Sequence, residues 1–139
     1  MSERWELSKK FLFEASHQLK NHDGKCSRLH GHSWVGWISI SRGQLFQSGP
    51  KKGMVFDYAD LSAIVKPIVE ESLDHWHLND TVDEENPTSE IIAKWMWIKV
   101  ETELRPLLRE DVDDVIDSLT VTIEETCTSR CVYSVSRGS

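Results

Sequence analysis

Two stretches of alternating side chains, one ending in histidine and the other beginning with it, restrict this 139-residue chain more than any other feature. In Phe11-Leu12-Phe13-Glu14-Ala15-Ser16-His17, residues 11, 13, 15 and 17 share one face of an extended strand, so His17 closes an apolar row. In His30-Gly31-His32 the two-residue spacing repeats this, and the row continues through Trp34, Gly36, Ile38 and Ile40. Two neighbouring strands thus aim His17, His30 and His32 at one pocket. Three neutral imidazoles with no fourth protein ligand describe a zinc site with an open position, which marks catalytic rather than structural zinc. The competing reading is that the histidines are ordinary half-exposed strand residues.

Composition narrows the class. With 39% hydrophobic residues the chain can bury one core but is short for two, so a single domain over residues 1–139 is expected. The formal charge of −7 argues against a general binder of nucleic acid or anionic membranes, whose affinity rests on a basic face. No charged leader or long apolar run stands out, so a cytoplasmic protein is expected. Cys26, Cys127 and Cys131 are too few for a disulfide scaffold and fit reduced thiols. The last two are expected to fill small buried sites, and Arg137-Gly138-Ser139 carries no argument.

Residues 5–17 and 32–42 read as strands, and 43–53, with Gly43, Gly49, Gly53 and Pro50, as a loop. Asp57 reads as a helix N-cap before the stripe Leu61, Ile64, Val65, Ile68 and Val69, with a kink or break expected at Pro67. A second helix is expected with Asn86 as cap and Pro87 at its first position, running to about Arg105 with Ile91, Ile92, Trp95, Met96 and Ile98 inward. After the acidic stretch Glu110 to Asp117, residues 119–125 alternate as a strand, and a last strand covers 131–135. The simplest architecture is α+β: a four-stranded antiparallel sheet with two helices on one face, in the order β-β-α-α-β-β.

Cys26 lies four residues before His30 and is open to three roles: fourth zinc ligand, nucleophile or base, or small buried residue. A thiol near an imidazolium or a metal becomes a useful base. Leu73-Asp74-His75 offers such a partner, because an aspartate beside a histidine orients the ring and stabilises its charged form. Histidine also favours helix C-termini for dipole reasons alone. Glu125 shares its strand face with Leu119, Val121 and Ile123, whereas Glu124 points the other way. A carboxylate closing that row either meets water or accepts two parallel N–H bonds from a flat amino-amidine heterocycle such as a pterin.

Six ordered segments then carry a resemblance: Phe13-Glu14-Ala15-Ser16-His17; Cys26 through His30-Gly31-His32; Gly53-Met54-Val55-Phe56-Asp57-Tyr58; Leu73-Asp74-His75 with Leu78-Asn79; Asn86-Pro87-Thr88-Ser89-Glu90; and Glu125-Thr126-Cys127-Thr128. Together they resemble the 6-pyruvoyl-tetrahydropterin synthase family over about residues 11–133, and more closely its bacterial branch, which makes 6-carboxy-5,6,7,8-tetrahydropterin for queuosine. The short gap between Cys26 and His30 resembles that branch. The resemblance implies a tunnelling fold, with trimers closing into a barrel and two trimers stacking as a homohexamer with inter-subunit sites. It implies Zn2+ on His17, His30 and His32, Cys26 as base, Asp74 and His75 as relay, and Glu125 on the pterin.

The implied reaction takes 7,8-dihydroneopterin triphosphate to 6-carboxy-5,6,7,8-tetrahydropterin with loss of acetaldehyde and triphosphate. A 6-pyruvoyl-tetrahydropterin synthase, which eliminates triphosphate without losing carbon, is the alternative within the family. A non-catalytic zinc-binding assembly domain, its site closed by Cys26, is the alternative of another class. An anionic substrate sits awkwardly with an acidic chain, so Lys20, Lys25, Arg28, Lys51 and Lys52 are candidates for a local basic rim. The loop at 43–53, Ile91, Trp76 and His77 depart from the family pattern and bear on pocket shape.

Overall fold

The computed structural model describes residues 1–108 and 116–136; most of the acidic stretch and the final three residues lie outside the described residues. The elements run β1 (Trp5–His17), β2 (His30–Arg42), α1 (Tyr58–Ser72), β3 (Trp76–His77), α2 (Leu78–Thr81), α3 (Ser89–Leu104), β4 (Ser118–Thr126) and β5 (Ser129–Ser136). Short 3-10 turns occupy Lys25–Ser27 and Arg105–Leu107. The sheet order is β3-β1-β2-β4-β5.

β1 and β2 pair antiparallel along their whole length, from Trp5 opposite Arg42 to His17 opposite His30. This register sets Phe13 opposite Trp34 and Ala15 opposite His32, so the two alternating rows merge into one face. Phe13 and Trp34 stack at 5.6 Å, nearly parallel, beneath the histidines. Gly36 faces Phe11, and a Cβ there would fall 2.1 Å from the ring; only glycine lets this ring lie over the neighbouring strand.

The other face of these strands mixes polar residues with Leu12, Val35 and Trp37, and the helices cover the apolar one. α1 buries Leu61, Ile64, Val65 and Val69, and α3 buries Ile92, Ala93, Met96, Val100 and Leu104. With Phe11, Phe13, Ile38, Ile40, Val121 and Ile123 of the sheet they form one core, α1 lying against β1 and α3 against β4 and β5. Each large apolar side chain removed from water here contributes ~1.5–3 kcal/mol, and the histidine-bearing strands are anchored in this core.

Several details differ from the sequence reading. The sheet has five strands rather than four, because Trp76–His77 adds a two-residue parallel edge beside Ala15 and Ser16. Two residues leave no periodic trace; His75 adopts a left-handed φ of 65° and its N–H donates to the Glu14 carbonyl at 2.6 Å, which turns the chain onto the β1 edge. A third helix, the single turn α2, follows at once. α1 continues through Pro67 without a break; Pro67 and Ala63, whose carbonyl loses its amide partner, are both exposed, so water replaces the missing bond.

α3 is capped by Thr88, whose hydroxyl accepts the Ile91 N–H at 3.2 Å, and not by Asn86. Ile98, expected inward, is 48% exposed, and the buried stripe runs instead through Ala93 and Val100. Cys131 is half-buried as expected in kind, but Cys127 is exposed in the β4–β5 turn.

Candidate metal centre and active site

The β1–β2 register and the two-residue spacing on β2 bring three imidazoles together. The ring centres of His17 and His30 lie 4.4 Å apart, those of His30 and His32 5.0 Å, and those of His17 and His32 5.3 Å. β4 supplies a fourth group. Its phase puts Glu125 on the same face, with Oε1 2.9 Å from His32 Nε2 and 3.3 Å from His17 Nε2. One ligand atom from each of His17, His30, His32 and Glu125 lies within 4.8 Å of all the others.

The backbone determines which nitrogen faces inward. His17 Nδ1–H donates to the Pro87 carbonyl at 2.9 Å and His30 Nδ1–H to the Arg28 carbonyl at 2.7 Å. A carbonyl only accepts, so in the neutral ring the inward Nε2 carries a lone pair. His17 is kept neutral chiefly by burial, which holds its pKa below the ordinary 6.5, partly offset by the Pro87 carbonyl. Nε2 of His17 and of His32 are buried and carry no hydrogen bond among the described residues.

The His17 Nε2 lone pair and the Glu125 carboxylate oxygen, 3.3 Å apart, repel unless a cation lies between them, and His32 Nε2 stands 2.9 Å from the same oxygen. A tetrahedral ion bonded at about 2.0–2.1 Å spaces its ligand atoms about 3.4 Å apart, close to these separations. The donor set therefore fits a divalent metal of the kind that imidazole prefers. Carbonyls that orient the ligand rings are the usual outer support of such sites.

The other candidates lie elsewhere. Cys26 is half-buried in the 3-10 turn between the two histidine strands and does not belong to the four-residue group. The closed site with Cys26 as fourth ligand is therefore not what the geometry assembles; Glu125 occupies that quarter. Asp74 and His75 form their own pair on the β1 edge. Asp74 Oδ1 accepts the Glu14 N–H at 2.8 Å and Oδ2 meets His75 Nδ1 at 3.0 Å. The Glu14 amide, ahead of His75, holds the Asp74 carboxyl below its usual range. The His75 side chain is 79% exposed. It borders a cavity of about 490 Å³ with Trp76, His77 and the paired segments 14–16 and 31–33.

Glu124 points away from the cluster, as its phase requires, and pairs with Arg130 at 2.7 Å. Lys51 pairs with Asp57 and, at 3.4 Å, with Asp60. Three supporting groups escaped the sequence reading. The Pro87 and Arg28 carbonyls have no side-chain signature. Asn79 ties the end of β1 to the α2–α3 connection, accepting from the Gln18 N–H and donating to the carbonyls of Gln18 and Glu85; its side-chain type alone does not announce that.

Residues 6–136 match the family described as 6-pyruvoyl tetrahydropterin synthase. The chain belongs to this family. Within the 6-pyruvoyl tetrahydropterin synthase family it is 43% identical over 129 residues to the 6-carboxy-5,6,7,8-tetrahydropterin synthase of Synechocystis, covering 93% of this chain and 92% of that one. The protein of the same name from Bacillus subtilis is 28% identical, covering 96% and 88%. Among solved structures, Caenorhabditis elegans 6-pyruvoyl tetrahydropterin synthase superposes with a TM-score of 0.71 at 24% identity, covering 99% and 98%. Plasmodium vivax 6-pyruvoyltetrahydropterin synthase gives 0.76 at 16%, covering 98% and 100%. At these identities the structural likeness establishes the fold, so the α+β subunit expected from the family resemblance is borne out.

Proposed function

We propose that this protein is a zinc-dependent 6-carboxy-5,6,7,8-tetrahydropterin synthase, converting 7,8-dihydroneopterin triphosphate and one water, with release of acetaldehyde and triphosphate, in the cytoplasmic synthesis of queuosine. The observation that carries this reading is the convergence of the His17, His30 and His32 rings beside Glu125 in a family of pterin synthases. The name carried by the Synechocystis relative supports the carboxy product over the pyruvoyl one. No described helix is long and apolar enough to cross a membrane.

Zinc held by the three imidazoles would supply Lewis-acid chemistry, acidifying the carbon beside the side-chain hydroxyls it chelates. The remaining work falls to the protein. Cys26, carried on the loop that joins the two histidine strands, takes the proton from that carbon. Asp74 holds Nδ1 of His75, so the exposed Nε2 faces outward to relay protons. Glu125 presents its partly exposed carboxylate to the amino-amidine edge of the pterin.

Among the described residues no hydrogen bond joins His75 to Cys26, and the His75 ring is open to solvent, which supports a site completed between subunits. β5 and most of β1 are open sheet edges, as ring closure into trimers requires, and two trimers would stack as a hexamer. The test is product analysis with zinc-loaded protein. Equal amounts of acetaldehyde and triphosphate are expected; triphosphate without acetaldehyde would favour a 6-pyruvoyl-tetrahydropterin synthase, and release of neither would refute the reading.

A further inference from the structure

The substrate assigned above ends in a triphosphate, yet the chain has 23 acidic against 16 basic residues. Local cationic groups must offset this. Of the basic residues that the sequence offers, Lys51 is already engaged by Asp57 and Asp60 at the N-terminus of α1. Lys25 and Arg28 differ. They bracket Cys26 and Ser27, and the Arg28 N–H donates to the Lys25 carbonyl at 3.1 Å, closing the 3-10 turn.

Lys25 opens this turn and Arg28 caps it, so the two cationic residues flank the segment that carries Cys26. Both residues are exposed, and neither forms an ion pair among the described residues.

Arg28 is also tied to the metal centre, because its carbonyl accepts His30 Nδ1–H. Its backbone is extended, with φ −90° and ψ 152°, and it stands two residues before His30 as His30 stands before His32. Cα atoms two apart lie within about 7 Å, so the reach of an arginine stem covers the space just outside the imidazole cluster. In the proposed substrate the triphosphate is esterified one carbon beyond the chelated hydroxyls. A guanidinium beside the imidazole cluster is within reach of a group so placed.

We infer that Arg28, assisted by Lys25, forms the triphosphate subsite, an inference that rests on the proposed function. The planar guanidinium engages two phosphate oxygens at once and the ammonium adds a point charge. Lys51, held by Asp57 and Asp60, takes no part.

The test compares binding of 7,8-dihydroneopterin triphosphate and of unphosphorylated 7,8-dihydroneopterin to the zinc-loaded protein, followed by quenching of tryptophan fluorescence. Zinc content and circular dichroism check that each variant is folded. Arg28→Ala should weaken the triphosphate about tenfold or more while leaving dihydroneopterin within about twofold. Arg28→Lys should fall between, and Lys51→Ala should match the parent. The triphosphate advantage should shrink with added salt.

Equal loss of both ligands in Arg28→Ala, no loss of either, or a larger loss in Lys51→Ala than in Arg28→Ala would overturn the inference. So would a wild type that turns the substrate over but shows no preference for the triphosphate, which leaves the proposed function standing. A wild type that neither binds nor converts either pterin would instead refute the proposed function itself.

Discussion

His17 and Pro87 stand seventy residues apart in sequence, and the Nδ1–H of the histidine donates to the carbonyl of the proline at 2.9 Å. The contact makes the segment that opens α3 part of the metal centre. It selects the tautomer of His17 and turns Nε2 toward His30 and His32, as the Arg28 carbonyl does for His30. A helix start and a hairpin loop thereby orient two of the three rings.

Glu125 and Glu124 are adjacent in β4 and serve opposite faces, one beside the imidazoles and one paired with Arg130. Glu125→Gln is expected to lower kcat/KM by about a hundredfold, because the side chain loses the charge that pairs with the amino-amidine edge of the pterin. Glu124→Gln should stay within about twofold, since exposed ion pairs contribute little. Steady-state kinetics of the two variants side by side checks this, and equal losses would place the wrong carboxylate in the site.

Asp74→Asn keeps an oxygen for the Glu14 amide and removes the charge beside His75. Turnover should fall while the fold survives. The pH dependence follows from the lowered carboxyl pKa. The folded value lies below the ordinary 3.8, so the stability this carboxylate adds is present above about that pH and is lost as the pH falls through the folded value. Urea unfolding between pH 5 and pH 2.5 should show a shallower acid decline for Asp74→Asn than for the parent.

Gly36→Ala would drive a methyl group to within 2.1 Å of the Phe11 ring. Moving that ring disturbs its stack on Phe13 and costs roughly 1–3 kcal/mol. The double variant Gly36→Ala with Phe11→Leu should recover part of the loss, readable as a coupling in denaturant midpoints. Strict additivity would contradict the account.

The parts of the fold governed by a two-residue period were legible in the chain. The β1–β2 hairpin, the common face of His17, His30 and His32, and the opposite phases of Glu124 and Glu125 all follow from alternation, because one buried face locks the register. Features set by single hydrogen bonds were not. Trp76–His77 joins the sheet through the turn at His75, which no pattern announces. Cys127 looks like a small core residue until the hairpin turn places it in solvent. Asn86-Pro87-Thr88-Ser89 holds three residues able to cap a helix, and only the backbone decides among them.

That last point is testable. Thr88→Ala removes the hydroxyl that accepts the Ile91 N–H and should destabilise the protein by about 1 kcal/mol. Asn86→Ala touches no helix amide and should cost less than half as much in the same thermal unfolding experiment.

In the proposed site three imidazoles hold a metal ion while the thiol of Cys26 stays free for proton transfer. X-ray absorption at the zinc edge, on wild type and on Cys26→Ala, addresses it directly. The account predicts a shell of nitrogen and oxygen neighbours at about 2.0–2.1 Å in both proteins, unchanged zinc content, and loss of turnover in the variant. A sulfur neighbour at about 2.3 Å in the wild type, or loss of zinc in Cys26→Ala, would contradict it.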